Sequence, residues 1–148
     1  MMKKIFILIL FISTGLFAQK SDRYDKIKAL KTAHLTEKLA LTTNEAEKFW
    51  PIYNEYDSKM HMLRKIEHKE IFYKLKNGIE NMSDADANTL IDQALDIETK
   101  ELQYRKDLIK SLRKVIPAKK VIGLRKAEDE FKRELLHRYR DKRPAKKE

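Results

Sequence analysis

The sequence predicts an all-α fold of four helices, two of them long, arranged as an extended helical hairpin that forms a homodimer. The 148 residues include only three glycines and three prolines, while 38% are charged, a composition typical of long amphipathic helices. Apolar residues recur every three or four positions over most of the chain, which is the spacing of a helix with one apolar face. Two helix-start signals, at Thr42 and Ser83, are each followed by carboxylates in the next turn.

Residues 1–18 have the features of an export signal rather than of a folded domain. Lys3 and Lys4 precede a mostly apolar run over residues 5–17, and Ala18 is a small residue suited to a cleavage site. The run is shorter than the ~20 residues that span a membrane. We therefore predict a signal peptide that is cleaved after Ala18, and a periplasmic location for the mature protein.

The remaining sequence is long enough for one domain, which we predict over residues 19–143. The chain has no cysteine, so neither a disulfide nor a thiolate metal site is expected and helix packing must hold the fold. Residues 144–148 are predicted to be a basic, disordered tail, either a solvated end or a contact for anionic surfaces. The net charge of +10 predicts weak electrostatic contact with anionic surfaces, whereas nucleic acid is not an expected partner of an exported protein.

The first helix is predicted over residues 22–41, where apolar residues are interleaved with lysines. Thr42 then caps a second helix, predicted over residues 43–77 and ended by Gly78. At ~1.5 Å per residue this helix would be about 50 Å long. Pro51 lies inside it and removes one backbone donor, so we expect a bend there.

Ser83 is predicted to cap a third helix that follows it and runs to about residue 115, with an apolar stripe that Glu98 and Arg105 interrupt. We interpret this stripe as a seam that is partly open to water or to a partner. Together with the high content of charge, it is the reason for expecting a homodimer. The fourth helix is predicted over residues 117–139, because Pro117 breaks the preceding helix and is suited to the first position of a new one.

The stretch that follows Thr42 is rich in aromatic side chains. The spacing of Phe49, Tyr53 and Tyr56 places them on one face of the second helix, whereas Trp50 and Ile52 lie off that face. One interpretation is that both faces are buried, by another helix and by a dimer partner. The other is an exposed apolar surface that binds unfolded chains or a regulatory protein. The candidate partner-binding residues are Phe49, Trp50, Ile52, Tyr53 and Tyr56.

The sequence contains no recognisable catalytic pattern. A glycine-rich phosphate loop, a nucleophile elbow and an HExxH motif are all absent, so we expect neither enzyme activity nor a cofactor. His61 and His68 are the strongest metal candidates, but seven residues along one helix separate them by ~10 Å. That is too far to share an ion, and we expect no metal site unless helices of two chains converge; ordinary surface histidines are the alternative.

Two segments resemble the Leu-Thr-x-x-Gln signature of the periplasmic Spy/CpxP (LTxxQ) family. The first is LTTNE over residues 41–45, with glutamate in place of glutamine, and the second is VIPAK over residues 115–119, which keeps the hydrophobic residue and the proline. The run FWPIYNEY over residues 49–56 is similar to Bacteroidetes-type proteins described as sensors of ECF-type sigma factors. The residues that carry the signature are Leu41, Thr42, Glu45 and Pro117.

The resemblance implies a curved helical-hairpin dimer that acts in the envelope stress response as an ATP-independent chaperone for unfolded envelope proteins. The alternative that it implies is a sensor or regulator in an extracytoplasmic-function sigma factor pathway, with a membrane regulatory protein as partner. A third is heavy-metal sensing, which related proteins achieve with a His-x-x-x-His pair. That pair is missing here, because His61 and His68 are seven residues apart.

Overall fold

The computed structural model describes the backbone of residues 15–141 and the side chains of residues 23–140, and this part of the chain is helical without a strand. The prediction of an all-α fold is confirmed. The predicted signal peptide overlaps the described residues only at 15–18, which begin the first helix. The predicted tail over residues 144–148 lies outside the described residues, and none of the described helices is long and apolar enough to cross a membrane.

The helical elements follow one another through short turns. They are α1 (Gly15–Lys38), α2 (Thr43–Glu67), a π-helical turn (His68–Phe72), α3 (Tyr73–Lys76), a 3-10 turn (Ile79–Asn81), α4 (Asp84–Leu112) and α5 (Ala118–Asp141). The predicted second helix therefore corresponds to α2, the π-helical turn and α3 in succession.

Two helices end earlier than the sequence predicts. α1 stops at Lys38 rather than at Leu41, because Ala40 adopts a positive φ of 45° that no helix can continue. α4 stops at Leu112 rather than at residue 115. A tighter turn follows, in which the Val115 amide donates to the Leu112 carbonyl at 3.0 Å, since residues before a proline avoid the helical conformation.

The predicted helix starts and the predicted stop are confirmed. The Thr42 hydroxyl accepts from the Glu45 amide at 3.2 Å, and the Glu45 carboxylate accepts from the Thr42 amide at 2.9 Å, which is a complete capping box. The Ser83 hydroxyl accepts from the Asp86 amide at 3.1 Å and so caps the first turn of α4. Gly78 has a φ of 105°, a conformation that favours glycine and ends the helical run before it.

The chain divides into two compact units. One contains residues 41–122, and the other is formed by the segments up to residue 40 and from residue 123 onwards, so the division falls inside α5. A single domain over residues 19–143 stays a prediction.

The larger unit is built on α2 and α4, which pack against each other. The apolar stripe predicted for α2 is buried as expected, and its members are Phe49, Tyr53, Tyr56, Met60 and Leu63. Toward the far end of this pair, Leu63 and Ile71 form a buried cluster with Leu90 and Ile97 of α4. The pairing of the end of α2 with the beginning of α4 makes the two helices an antiparallel hairpin.

The smaller unit is built on α1 and the part of α5 after residue 122. Leu35 and Leu39 of α1 are buried, as are Leu124, Ala127 and Phe131 of α5. His34 connects the two helices, because its Nε2 lies 3.1 Å from the Ala127 carbonyl and its Nδ1 lies 3.4 Å from a Glu134 carboxylate oxygen.

Two glycines give opposite expectations for an alanine substitution. A Cβ at Gly123 would lie 3.5 Å from Leu39 Cδ2, an ordinary contact inside a helix, so Gly123→Ala should raise the free energy of unfolding by up to ~1 kcal/mol. At Gly78 the positive φ makes the same change unfavourable by roughly 1–2 kcal/mol. Urea unfolding followed by circular dichroism measures both. Equal effects of the two substitutions would contradict the conformations described for these residues.

Candidate functional site

The Glu45 carboxylate makes two separate interactions at the start of α2. Glu45 completes the capping box with Thr42, and one of its oxygens also lies 2.6 Å from Nζ of Lys120 in the first turn of α5. The two side chains are only 17% and 23% exposed, so the pair is partly shielded from water. The Lys120 ammonium, followed by the Thr42 amide, lowers the pKa of the Glu45 carboxyl below its usual value.

This ion pair brings the two signature segments together. Leu41, Thr42 and Glu45 lie at the start of α2. The Pro117 carbonyl accepts from the Lys120 amide at 2.9 Å, and α5 begins at Ala118, one residue after the predicted start at Pro117. The four residues singled out from the sequence therefore surround one corner of the larger unit.

The aromatic run is mainly a packing element of that unit. The Phe49 and Tyr53 rings stack at 5.4 Å with an interplanar angle of 12°, and the Trp50 ring meets Phe49 edge-on at 4.9 Å. Phe49, Tyr53 and Tyr56 are buried, which favours the interpretation that another helix covers this face; the assignment of these residues to partner binding stays a prediction. Within the run, Trp50 and Ile52 are half-buried, so part of each side chain stays exposed.

The histidines singled out as metal candidates do not come together. His61 is half-buried on α2, and His68 is exposed at the beginning of the π-helical turn, with its ring 6.2 Å from that of Phe72. Within the described residues, no group of three or more His, Cys, Asp or Glu side chains could hold a metal ion.

The far end of the hairpin exposes large apolar side chains that the sequence analysis did not single out. We call residues 62–79 the hairpin-end segment. Its exposed apolar residues have exposed fractions between 39% and 66%, and they are Met62, Ile66, Phe72, Tyr73, Leu75 and Ile79. Basic residues are interspersed among them and are also exposed: Arg64, Lys65, Lys69, Lys74 and Lys76. An apolar surface of this kind, mixed with cations, is suited to binding another molecule.

A π-helical turn interrupts the α-helix inside the hairpin-end segment. The Tyr73 amide donates to the His68 carbonyl, a span of five residues instead of four. The wider turn shifts the phase of the helical residues that follow it. Ile71 alone in the segment beyond Leu63 reaches the core.

A second exposed apolar set runs along α4. Ile91, Leu95 and Leu102 are 55–56% exposed, whereas the neighbouring Leu90 and Ile97 are buried. The predicted stripe of this helix combined Leu90 with Ile91, Leu95 and Leu102 and did not include Ile97. The structure separates these residues, since Leu90 and Ile97 are part of the core and the other three are exposed. Of the two polar interruptions, Glu98 is exposed, and Arg105 is half-buried with its Cζ 5.3 Å from the centre of the Tyr56 ring.

The chain matches no known protein-family model, no curated protein and no solved structure.

The ion pair at the corner makes a prediction for the titration of Glu45. Replacing Lys120 by Met should raise the pKa of the Glu45 carboxyl toward its ordinary value, because the strongest stabiliser of the charged form is removed. In the native chain the lowered pKa adds stability that is present above the ordinary pKa of glutamate and is lost as the pH falls through the folded-state pKa. Carboxyl-detected NMR titration measures the shift directly.

The neighbouring Lys119, which is exposed, provides the matched control for this titration. Lys119→Met removes the same charge from the same turn and should leave the pKa of the Glu45 carboxyl almost unchanged. If the two substitutions moved the midpoint equally, the direct bond between Lys120 and Glu45 would be contradicted.

Proposed function

We propose that the chain is an exported, non-enzymatic binding protein of the Spy/CpxP type, which captures partly unfolded envelope proteins in the periplasm without ATP. The observation that carries this proposal is the exposed apolar character of the hairpin-end segment together with its basic residues. Unfolded chains expose apolar side chains, which such a segment can cover. The basic residues favour clients that carry negative charge.

The chemistry of the hairpin-end segment fits transient capture rather than tight binding of one ligand. Six large apolar side chains stay exposed over residues 62–79, and they are attached to helical turns rather than to the walls of a deep pocket. A client held in this way is bound by many weak contacts and can be released without an energy source. Trp50 and Ile52 at the opposite end of α2 could extend the binding surface, since they are only half-buried.

An alternative proposal is a regulatory role in an extracytoplasmic-function sigma factor pathway. The same segment could bind one helix of a membrane regulatory protein, since an amphipathic partner needs an exposed apolar surface of similar size. The two proposals differ in selectivity. A capture protein should recover many unrelated envelope proteins in a pull-down, whereas a regulator should recover one membrane protein.

The capture proposal is tested by aggregation of an acidic client that is diluted from denaturant into buffer without ATP. The purified chain should reduce light scattering at equimolar ratio, and Met62→Ser/Phe72→Ser/Ile79→Ser should lose most of this protection because three exposed apolar side chains are removed. Added salt should weaken the protection through screening of the basic residues.

A matched control removes exposed apolar side chains elsewhere. Ile122 and Leu136 on α5 are 82% and 55% exposed, and Ile122→Ser/Leu136→Ser should protect the client as well as the native chain does. Circular dichroism verifies that both variants keep their helices. An absence of protection by the native chain, or an equal loss in both variants, would overturn the assignment of client binding to the hairpin-end segment.

A further inference from the structure

The positive charge of the chain is concentrated outside the larger unit. Residues 41–122 contain 15 basic and 14 acidic side chains, so the larger unit is almost neutral. Residues 23–40 and 123–140, the part of the smaller unit whose side chains the structure describes, contain eleven basic and six acidic ones. A partner that is recognised mainly by its negative charge is therefore expected on the smaller unit.

The basic residues of α5 are gathered on the side that faces away from α1. On the inner side, Ala127 and Phe131 are buried and both contact His34 of α1. On the opposite side, at ~100° per residue, five exposed basic residues fall within an arc of about 120°. We call these five residues the outer α5 face, and they are Arg125, Lys126, Lys132, Arg133 and Arg140.

The carboxylates of α5 do not balance the charge of the outer α5 face. Glu130 and Glu134 are directed toward α1, whose side-chain nitrogens lie 3.8 and 3.4 Å from their carboxylate oxygens. Lys126 also lies 3.8 Å from a Glu130 oxygen, while the other four basic residues form no ion pair with the side chains that the structure describes. Asp129 is the one carboxylate within the arc, so five positive charges face one negative charge.

The spacing of these cations suits a broad anionic surface rather than a small anion. Lys126, Arg133 and Arg140 follow one another at intervals of seven residues, or ~10.5 Å, and the whole face extends ~22 Å along the helix. Such distances are too long for the cations to surround one phosphate. Leu136 is 55% exposed within the same arc and adds an apolar side chain among the charges. This combination is typical of helices that lie on anionic membranes.

We propose that the outer α5 face binds the surface of a bilayer that contains anionic phospholipids, with the axis of α5 parallel to the membrane. The lysine and arginine side chains are long enough to reach phosphate groups on either side of the helix, and Leu136 contacts the boundary between headgroups and acyl chains. The sequence directly after α5, residues 142–147, contains four further basic residues and no acidic one, which adds to the attraction.

The choice of a bilayer rests on the export that we propose for the chain, because a periplasmic protein lies between two membranes. The inference does not depend on client capture, which we assign to the hairpin-end segment in the larger unit. Membrane binding and client capture therefore fail independently, since each has its own residues and its own assay.

The first test is co-sedimentation of the purified chain with vesicles of phosphatidylcholine that contain roughly one third phosphatidylglycerol. The native chain should bind these vesicles much more tightly than vesicles of pure phosphatidylcholine, which also control for contacts through apolar segments. Arg125→Gln/Lys132→Gln/Arg133→Gln should raise the lipid concentration at half-maximal binding at least ~100-fold, because each basic residue near an anionic surface contributes a factor of roughly five.

A matched variant removes three exposed charges from the hairpin-end segment instead. Lys65→Gln/Lys69→Gln/Lys74→Gln should shift half-maximal binding by less than ~10-fold, because these residues do not touch the membrane in the proposed orientation. Circular dichroism verifies that both triple variants keep their helices, and the α5 variant should still protect an acidic client from aggregation. No preference of the native chain for anionic vesicles, or equal losses in the two variants, would overturn the proposal.

The position of the contact is measured with a fluorescent label at a single introduced cysteine, because the sequence has no cysteine of its own. Anionic vesicles should shield a label at Leu136→Cys from the neutral quencher acrylamide. They should not shield a label at Phe72→Cys, although both native side chains are 55% exposed. Soluble polyphosphate at the same charge concentration provides phosphate without a bilayer and should shield neither label. Shielding at Phe72→Cys only, or equal shielding of Leu136→Cys by polyphosphate, would contradict the proposed membrane contact.

Discussion

The packing of α2 against α4 along one apolar stripe is the interaction on which the rest of the larger unit depends. With no cysteine in the sequence, no disulfide holds the two helices together. The seam must be formed by the aromatic and aliphatic residues from Phe49 to Leu63 and by their counterparts on α4. Because α2 places these residues on one side of one helix, little apolar material is left to cover a second side of α4 or the far end of the hairpin. Exposure of those two surfaces is thus a consequence of how the seam is built.

Much of this fold could be predicted because its signals are local. The capping box of Thr42 and Glu45, the cap at Ser83 and the stop at Gly78 each depend on residues within one or two turns. The regular α-helical spacing from Phe49 to Leu63 likewise identified the buried stripe of α2. The pairing of Glu45 with Lys120 is different, since 75 residues separate the two and no local pattern connects them.

The features that the sequence did not predict depend on helix phase. Leu90 and Ile91, or Leu108 and Ile109, are adjacent apolar pairs, and only packing against α2 decides which member of each pair is buried. The π-helical turn at His68 has no distinctive residue pattern, yet it changes the phase of the helical residues that follow it. The exposure of the hairpin-end segment, which carries the proposed function, could therefore be recognised only from the folded chain.

The central claim, that one seam carries the stability of the larger unit and leaves the hairpin end loosely held, is tested most directly by native-state hydrogen exchange. Amides between Tyr53 and Leu63, and between Ile97 and Leu108, should exchange most slowly, because they belong to the helical turns with the buried side chains. Amides from Phe72 to Met82 should exchange fastest within the hairpin, because they can exchange through local opening without unfolding of the whole unit. Uniform protection along the hairpin, or the strongest protection at its far end, would contradict this account.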